Sequence, residues 1–432
     1  MKVFWLLFCL AIIFYLQPPI TEAVLTKLDE DHQKDCEGYK RFLLFDAGSS
    51  KTILYFYRMK KVNEWEVDAS RQIKRFTALS QFNPASFTTM QKEITEALAE
   101  AKKVVNPKCV DQVPIYLRAT AGLRSLEQTL AHRILEKCRE TFMKSIYKFV
   151  GDDSAKMFTG QEEGLWLWVF MNYVLNKFIN CGHRGKVQGF DMGGGSTQVA
   201  TLKNNIDYKE EMKDDIIKVN LGCTYEVYSV SYEPAGAMEN RKNFFVNHNM
   251  KSECMADGVE DDFKFGDFKE KFVGKGHGGP ETYGKCKDEA ENYAKKLDIA
   301  QIWTGKDVPQ DMYLVAAFFH IYNTGDAIKK GCKSPKEKGC SQDAFTVAIQ
   351  DIQEMAKVHC TKLVSDPEII EKFTLSEYLC IDLVWVETVL KFGYGISNTD
   401  VKLNLVRTVG GHQAGWTLGF IYGLSVQSDA SR

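Results

Sequence analysis

Two stretches of the chain combine an aspartate with glycines and hydroxyl side chains. Residues 46–52 read Asp-Ala-Gly-Ser-Ser-Lys-Thr, and residues 191–197 read Asp-Met-Gly-Gly-Gly-Ser-Thr. Small residues let a loop turn so tightly that its backbone N–H groups point outward, and serine hydroxyls add further donors. Such a loop can hold a phosphate group without a lysine-rich pocket. Two of these loops facing each other across a cleft could hold consecutive phosphates.

The aspartates of the two loops are candidates for holding a divalent cation. Asp46 and Asp191 each end the apolar run that precedes the loop. Because Mg²⁺ usually keeps several of its water ligands, we expect contact through water. Lys51 has two open interpretations: contact with a terminal phosphate, or an ordinary solvated lysine of a turn. The sequence has no G-x-x-x-x-G-K-[ST] motif, which excludes a Walker-type phosphate loop.

A third candidate lies at the start of a helix predicted from Thr159 to about Phe178. Thr159 and Glu162 have the S/T-x-x-E spacing of a capping box, which gives Glu162 a structural role. Glu163 lies about a hundred degrees further round the helix and is not used by the cap. A carboxylate near a helix N-terminus stays ionised, which suits a base that orients and deprotonates water. These residues alone nevertheless favour a solvated glutamate that interacts with the helix dipole.

The elements that must position these residues form a pattern that occurs twice. Each loop joins two predicted strands, which indicates a duplicated domain rather than a short repeat. No proline-rich linker is present, so we expect the domains to abut and share a cleft. The charged, glycine-containing region 251–287 is expected to be a surface excursion. The predicted strands are Arg41–Asp46, Thr52–Arg58, Val113–Arg118, Val187–Asp191 and Thr197–Leu202, and the other predicted helices are Ser86–Val105 and Ser125–Glu140.

The composition is that of an ordinary globular protein. The chain has 432 residues, 44% hydrophobic and 26% charged, which allows two or three domains. Its 55 Lys and Arg against 57 Asp and Glu give a net charge of −2, so nucleic acid is not an expected partner. Lys2, fourteen apolar residues and a small-residue end at Ala23 predict a cleaved signal peptide over residues 1–23. We therefore expect a secreted protein, or one retained in the secretory lumen, without a stable membrane anchor.

The twelve cysteines fit that oxidising compartment, and their scatter favours disulfides over zinc. Removal of Cys9 with the signal peptide leaves an odd number, so one thiol is free or pairs with another molecule. A disulfide-linked dimer is therefore permitted, and the oligomeric state stays open. Cys36, Cys181 and Cys223 have no assigned partner. Proximity in sequence predicts the pairs Cys109–Cys138, Cys254–Cys286, Cys332–Cys340 and Cys360–Cys380.

Five segments, in order, closely resemble the apyrase conserved regions of the nucleoside triphosphate diphosphohydrolases. They are Phe45–Thr52, Tyr116–Arg124, Phe158–Gly164, Phe190–Gln198 and Gly415–Gly419. The resemblance implies an α/β fold with two ribonuclease-H-like domains of the actin/hexokinase type around a cleft, stabilised by disulfides. We expect residues 36–160 with 405–432 to form domain I, and residues 161–404 to form domain II. The resemblance also implies hydrolysis of nucleoside tri- and diphosphates to monophosphates, dependent on Ca²⁺ or Mg²⁺.

The same resemblance assigns roles to individual residues. Glu163 becomes the general base for the attacking water, which reverses the interpretation from its neighbours, and Thr120 helps to place that water. Asp46 and Asp191 hold the cation through water. The implied phosphate-binding residues are Ser49, Ser50, Lys51, Gly193, Gly194, Gly195, Ser196 and Gln198. Phe319 and Trp416 are candidates for contact with the nucleobase, although core packing is the preferred interpretation of Phe319 taken alone.

The first loop is similar to that of cell-surface members, which act on ATP and ADP. Arg118 and Gly195 depart from the usual pattern, and the chain stops at Arg432 without the second membrane anchor of surface members. We expect a secreted apyrase acting on ATP and ADP; the alternative is a luminal nucleoside diphosphatase acting on UDP and GDP. An actin/hexokinase-like hydrolase of polyphosphate or alarmones, and a nucleotide-binding protein without turnover, are rival interpretations that stay open.

Overall fold

The computed structural model describes residues 36–178, 187–299, 301–303, 308, 310–398 and 400–430. The predicted signal peptide and Cys181 lie outside these residues. Within the described ranges, helices pack on two larger sheets, one in each half of the chain. None of the helices in these ranges has both the length and the apolarity needed to cross a membrane.

The first domain is built on a sheet whose central strand is buried on both faces. Its elements are β1 (Tyr39–Ala47), β2 (Thr52–Lys61), β3 (Trp65–Phe76), α1 (Phe87–Ala101), β4 (Ile115–Ala119), α2 (Ala121–Arg124), α3 (Gln128–Met143) and β5 (Ala155–Met157). The strand order is β3-β2-β1-β4-β5, with β4 parallel to β1. Leu43 and Phe45 of β1 join the core beneath α1 and α3, whereas Phe42 and Leu44 join the core on the other face. A strand buried on both faces reads as a continuous apolar run, which made β1 easy to predict.

The second domain repeats this design with a larger sheet and additional elements. In chain order they are α4 (Gly160–Val174), β6 (Gln188–Met192), β7 (Thr197–Leu202), β8 (Ile216–Asn220), β9 (Thr224–Tyr232), α5 (Ala237–Val246), β10 (Lys251–Ala256), β11 (Glu260–Phe265), β12 (Phe268–Gly276), α6 (Pro280–Lys296), β13 (Met312–Ala316), α7 (Ala317–Lys329), β14 (Ala344–Val347), α8 (Ile349–Thr361), α9 (Pro367–Lys372), α10 (Leu379–Thr388) and β15 (Leu403–Val406). The main sheet has the order β14-β15-β13-β6-β7-β9-β8. β15 spans residue 404 and pairs with β13 and β14, so it lies wholly in this sheet. The predicted division of the chain at residues 404 and 405 stays a prediction.

The two loop-bearing hairpins have the same geometry, as the duplicated sequence pattern predicts. In the first, the N–H of Gly48 donates to the carbonyl of Lys51 at 3.0 Å; in the second, the N–H of Gly193 donates to the carbonyl of Ser196 at 2.9 Å. Each hairpin's first strand also has a parallel neighbour, β4 beside β1 and β13 beside β6. The two loops therefore occupy equivalent positions in the two domains.

Two further elements follow β15. A small hairpin, β16 (Thr408–Val409) with β17 (His412–Gln413), precedes the helix α11 (Trp416–Ala430). A Cβ atom added at Gly419 would lie 1.9 Å from the carbonyl oxygen of Trp166, and one at Gly423 would lie 2.3 Å from its ring. Glycine at these two positions therefore lets α11 pack closely on α4, against its backbone at Gly419 and against the Trp166 ring at Gly423.

The region 251–287 is not the surface excursion that its charge predicts. β10, β11 and β12 form a separate three-stranded sheet, and α6 follows it. Phe263 and Phe272 of this sheet are buried and join the core of the second domain. The prediction failed because exposed charged residues flank the buried aromatic side chains in sequence, as Lys264 follows Phe263 and Lys271 precedes Phe272.

Three of the four predicted disulfides are confirmed: Cys254–Cys286, Cys332–Cys340 and Cys360–Cys380. The fourth was wrong, because Cys109 pairs with Cys36, and Cys223 is also disulfide-bonded. Cys138 is a free thiol that lies fully buried on α3, where it packs in the core and cannot reach another molecule. Burial raises the pKa of Cys138 to about 12, so this thiol is unreactive.

Candidate active site

The two predicted phosphate loops meet across the cleft. A Cβ atom at Gly194 would lie 2.7 Å from the Oγ of Ser49, and one at Gly195 would lie 3.0 Å from the Cβ of Ala121. Residues of the first domain therefore press directly against the glycines of the second loop. The absence of side chains at 194 and 195 is what permits this approach, which gives a physical reason for glycine at 195.

The second loop is anchored by its carbonyl groups. The N–H groups that begin α5 donate to it, Ala237 to the carbonyl of Gly193 at 2.9 Å and Met238 to that of Gly194 at 3.0 Å. The aromatic ring of Phe265, at the end of β11, also lies 3.3 Å from the Cβ position of Gly194. The small sheet that the sequence did not predict therefore supports this loop.

The hydroxyl of Ser196 is oriented by two donors. Gln198 donates to Ser196 Oγ from Nε2 at 2.7 Å, and Arg124 donates to it from Nη2 at 3.4 Å. Because both neighbours donate to the oxygen, the hydroxyl proton is free to point elsewhere, for example to a phosphate oxygen. Ser196 is thus prepared to act as a donor.

In the first loop, the predicted residues differ in their exposure. Ser50 is exposed, whereas Ser49 is buried against α2: a Cβ atom at Gly122 would lie 2.7 Å from the Cα of Ser49. Thr120, just before α2, is also buried, and its N–H donates to the carbonyl of Ala47 at 3.1 Å. The loop and Thr120 therefore form one packed unit.

Lys51 is partly buried rather than a freely solvated turn lysine. Burial and the nearby positive charge of Arg75 lower the pKa of Lys51, and Asp46 opposes that effect. Lys51, Arg75 and Arg407 together lower the pKa of His320, after the larger effect of burial. Several positive charges therefore lie near Lys51, which favours an anionic ligand beside it.

Glu163 is buried, with 8% of its surface exposed, so the interpretation as a solvated glutamate is wrong. The capping box is present: Thr159 Oγ1 accepts from the N–H of Glu162 at 3.1 Å, and the Glu162 carboxylate accepts from the N–H of Thr159 at 2.8 Å. Burial raises the pKa of Glu163 to about 7, and the Arg124 guanidinium opposes this. The helix N-terminus does not keep this carboxyl group at an ordinary pKa. A group that titrates near neutral pH suits general-base catalysis.

Arg124 was not identified from sequence as a site residue, although it closes the second conserved segment. Its Nη2 donates to Glu163 Oε2 at 3.2 Å, and its Nη1 donates to the carbonyl of Phe158 at 3.0 Å. Its side chain also forms an ion pair with Glu233. The sequence gives only one signal for this role, a basic residue at the end of the second conserved segment.

The oxygen-rich end of the cleft fits a divalent cation. Asp46 and Asp191 lie at equivalent positions of the two hairpins, and burial raises the pKa of each to about 7. Asp46 also raises the pKa of Asp191 through charge repulsion. Ionising these buried carboxyl groups therefore costs free energy, which a bound cation would offset. Gln198 is opposite Asp191 in the ladder, and its buried Oε1 has no hydrogen-bond partner among the described residues. Such an all-oxygen set is what Mg²⁺ and Ca²⁺ bind.

The two candidates for base contact are core residues. Phe319 is 1% exposed and belongs to the core of the second domain, so it has no ring face to offer a nucleobase. Trp416 is 4% exposed and packs edge-on against Phe158 at 5.2 Å between ring centroids. Arg118, which departs from the family pattern, is also buried and donates from Nη2 to the Asp153 carboxylate at 2.9 Å. All three side chains are explained by packing.

Comparison with known proteins gives a family and a fold. A sequence profile described as the GDA1/CD39 (nucleoside phosphatase) family matches residues 32–431. Probable apyrase 2 of Oryza sativa subsp. japonica is 28% identical over 415 residues, covering 89% of this chain and 85% of that protein. Ectonucleoside triphosphate diphosphohydrolase 5 of Bos taurus is 27% identical over 403 residues, covering 88% and 87%. Nucleoside diphosphate phosphatase ENTPD5 of Homo sapiens is 26% identical over 403 residues, covering 88% and 86%.

Two solved structures are similar over most of their length. A nucleoside triphosphate hydrolase from Neospora caninum gives a TM-score of 0.61 at 14% identity, covering 95% of this chain and 96% of that one. A Ppx/GppA family member from Aquifex aeolicus gives a TM-score of 0.50 at 15% identity, covering 90% and 99%. At such low identity these similarities show the fold alone. They confirm the predicted actin/hexokinase-like arrangement of two α/β domains around a cleft.

Proposed function

The chain belongs to the GDA1/CD39 (nucleoside phosphatase) family, and we propose that it is an apyrase that hydrolyses nucleoside tri- and diphosphates to monophosphates. One observation carries this proposal: Arg124 Nη2 lies 3.2 Å from Glu163 Oε2 and 3.4 Å from Ser196 Oγ. The proposed base and a proposed phosphate-binding hydroxyl therefore share one hydrogen-bonding neighbour. A water between Glu163 and a phosphate held by the second loop would have its proton acceptor in place.

In this proposal, the chain's own residues supply positioning and proton transfer. Ser49, Lys51 and Ser196, with the backbone amides of the two loops, hold consecutive phosphates. Glu163 takes the proton from the attacking water, and Thr120 helps to orient that water. The family depends on divalent cations, and a Ca²⁺ or Mg²⁺ ion held through water by Asp46 and Asp191 would neutralise phosphate charge. Closure of the two loops on each other excludes bulk water from the site.

The relatives support two substrate classes. One is named an apyrase and another a nucleoside diphosphate phosphatase. The first loop favours ATP and ADP as substrates, in a secreted enzyme. The second name favours nucleoside diphosphates, and a luminal enzyme acting on UDP and GDP is therefore kept as the alternative. Both activities would use the same loops and the same base.

Phosphate release from ATP, ADP, UDP, GDP and AMP, with and without EDTA, tests these proposals. We expect release from ATP and ADP, none from AMP, and loss of activity in EDTA. AMP should be inert because loops spaced for consecutive phosphates leave a single α-phosphate away from Glu163. Turnover of UDP and GDP alone would establish the luminal alternative. Turnover of inorganic polyphosphate alone, or nucleotide binding without phosphate release, would contradict the proposal.

The compartment is tested separately. Residues 1–23 are proposed to be removed, so that the mature chain begins near Val24 and is found in the medium. N-terminal sequencing of protein from secreting cells measures this directly. Recovery of chains that keep Met1 in the membrane fraction would overturn the proposed secretion without affecting the proposed activity.

A further inference from the structure

Arg124 connects the first domain to three segments of the second domain. It ends α2 in the first domain, and only 12% of its side chain is exposed. Glu163 lies at the start of α4, Ser196 lies in the second phosphate loop, and Glu233 follows β9. The carbonyl that Arg124 also binds belongs to Phe158, the residue directly before the cap of α4. One guanidinium therefore fixes both the base and the segment from which the base helix begins.

The direction of the donors decides what this arginine can do. A guanidinium has five N–H groups in a planar fork. Those of Arg124 are directed at four protein acceptors: the Glu163 carboxylate, Ser196 Oγ, the Phe158 carbonyl and the Glu233 carboxylate. An arginine that binds phosphate presents two parallel N–H groups to it. Four of the five N–H groups of Arg124 are therefore directed at protein acceptors, which leaves no parallel pair for a phosphate.

We propose that Arg124 is a positioning residue, which holds the Glu163 carboxylate in register with Ser196. The inference rests on the proposed function, and it adds a residue to that site. Arginine is required because its planar fork can reach a carboxylate, a hydroxyl and a carbonyl at once, whereas lysine is a point charge. Glu233, whose side chain is 34% exposed, supports Arg124 from the outer side.

Two other roles for Arg124, direct phosphate binding and a purely structural ion pair, predict different effects of its removal. If it bound the substrate phosphate directly, its removal would mainly raise KM. If it were only a structural ion pair, its removal would lower the melting temperature and leave the activity of the folded protein unchanged. A positioning role lowers kcat while KM changes little, because the misplaced base affects the transition state and not substrate binding. Misplacement of a reacting group by 1 Å can cost about 10²-fold in rate.

The test compares kcat and KM of Arg124→Ala, Arg124→Lys and Glu233→Gln with those of the unchanged protein. We expect Arg124→Ala to lose about 10²-fold in kcat with KM within about threefold. Arg124→Lys should recover part of this loss, and Glu233→Gln should show a smaller loss in kcat. Arg133→Ala is the matched control, since Arg133 is an exposed arginine on α3 in the same domain. A rise in KM at unchanged kcat, or normal kinetics of both Arg124 variants, would overturn the inference.

Chemical rescue by guanidinium distinguishes a positioning role from a purely structural one, because it would not restore activity lost through a structural defect. Guanidinium ion added at a low, non-denaturing concentration should restore part of kcat to Arg124→Ala but none to Glu163→Gln. If Arg124→Ala does not fold, the kcat and KM of Arg124→Lys decide the question alone. Absence of phosphate release by the unchanged protein would contradict the proposed function. An active unchanged protein with an equally active Arg124→Ala would contradict only this inference.

Discussion

The Oγ of Ser49 lies 2.7 Å from the position that a Cβ atom would take at Gly194, although the two residues belong to different domains. The contact shows that the two phosphate loops approach each other until side-chain volume limits them. The same contact makes the glycines of the second loop sensitive to the smallest possible substitution. The first prediction follows from that sensitivity.

Gly194→Ala should reduce kcat/KM more than Gly195→Ala does. The new methyl group at 194 would overlap Ser49 Oγ and lie 3.2 Å from Met238, whereas at 195 the nearest neighbour is Ala121 Cβ at 3.0 Å. Overpacking costs typically about 1–3 kcal/mol. We therefore expect kcat/KM of Gly194→Ala to fall about tenfold or more. Steady-state kinetics of the two variants measure the difference. Equal, near-normal activities would mean that the loops do not approach this closely during turnover.

Glu163→Gln should nearly abolish hydrolysis while leaving folding and nucleotide binding largely intact. Glutamine keeps the shape of the side chain but cannot take a proton from water, and loss of a general base costs about 10²–10⁴-fold. Glu162→Gln is the control, since glutamine also serves in a capping box. Measurement of kcat and nucleotide affinity for both variants decides the assignment. If Glu162→Gln were inactive and Glu163→Gln active, Glu162 would be the base and the assignment to Glu163 would be wrong.

Ser196→Ala should lower kcat/KM by one to two decades. The change removes one hydroxyl donor and leaves the backbone amides of the loop in place, and a hydrogen bond to a charged group contributes about 1.5–3 kcal/mol. Asp191→Ala should lower kcat/KM further, because it removes a carboxylate that is proposed to hold the cation. The comparison is made at limiting substrate over a range of Mg²⁺ and Ca²⁺ concentrations. A normal Ser196→Ala would show that this loop is only a turn.

Asp429→Asn should destabilise the protein at neutral pH and have less effect in acid. Asp429 on α11 forms ion pairs with Lys40 at 2.8 Å and Lys61 at 2.5 Å, and these contacts hold the pKa of its carboxyl group well below its usual range. A group with a lowered pKa contributes stability above its ordinary pKa of about 3.9 and loses it as the pH falls towards the folded-state value.

The measurement is the melting temperature of Asp429→Asn and of the unchanged protein at neutral pH and near pH 3. The difference should narrow near pH 3, because the unfolded chain of the unchanged protein then takes up a proton at Asp429 while the folded carboxylate stays ionised, and part of its stabilising contribution is lost. Asp111→Asn, a substitution of an exposed aspartate in the first domain, is the control for the charge change itself. A difference that stays constant with pH would show that packing, not charge, connects α11 to the first domain.

The sequence could predict the features that lie within one short segment. The Asp-x-Gly loops, their flanking strands and the capping box of α4 each depend on neighbours in the chain, and the structure contains them all. Glu163 is the exception among them, because its burial depends on β9 and on the first domain. Its own neighbours indicated a solvated side chain, and only the family resemblance indicated a base.

The remaining features depend on contacts between distant segments. Arg124 meets Glu163 and Ser196 only after the two domains assemble, so no local pattern predicts its role. Proximity in sequence likewise paired Cys109 with Cys138, although the fold brings Cys36 to a Cα distance of 5.6 Å from Cys109. Phe319 lies in an apolar run that suits either a base-binding face or a core, and sequence alone does not determine which.

The close packing of α4 on α11 also has a consequence for protein synthesis. A ribosome releases the N-terminal parts of a chain first. A nascent chain that has been translated through β15 already holds both phosphate loops and Glu163, but it lacks Gly419 and Gly423, against which the helix carrying the base is packed. We therefore expect the chain to become able to hydrolyse nucleotide only late in translation, after residues 416–430 have left the ribosome. Prematurely terminated chains would contain every proposed catalytic residue and still be unable to consume nucleotide.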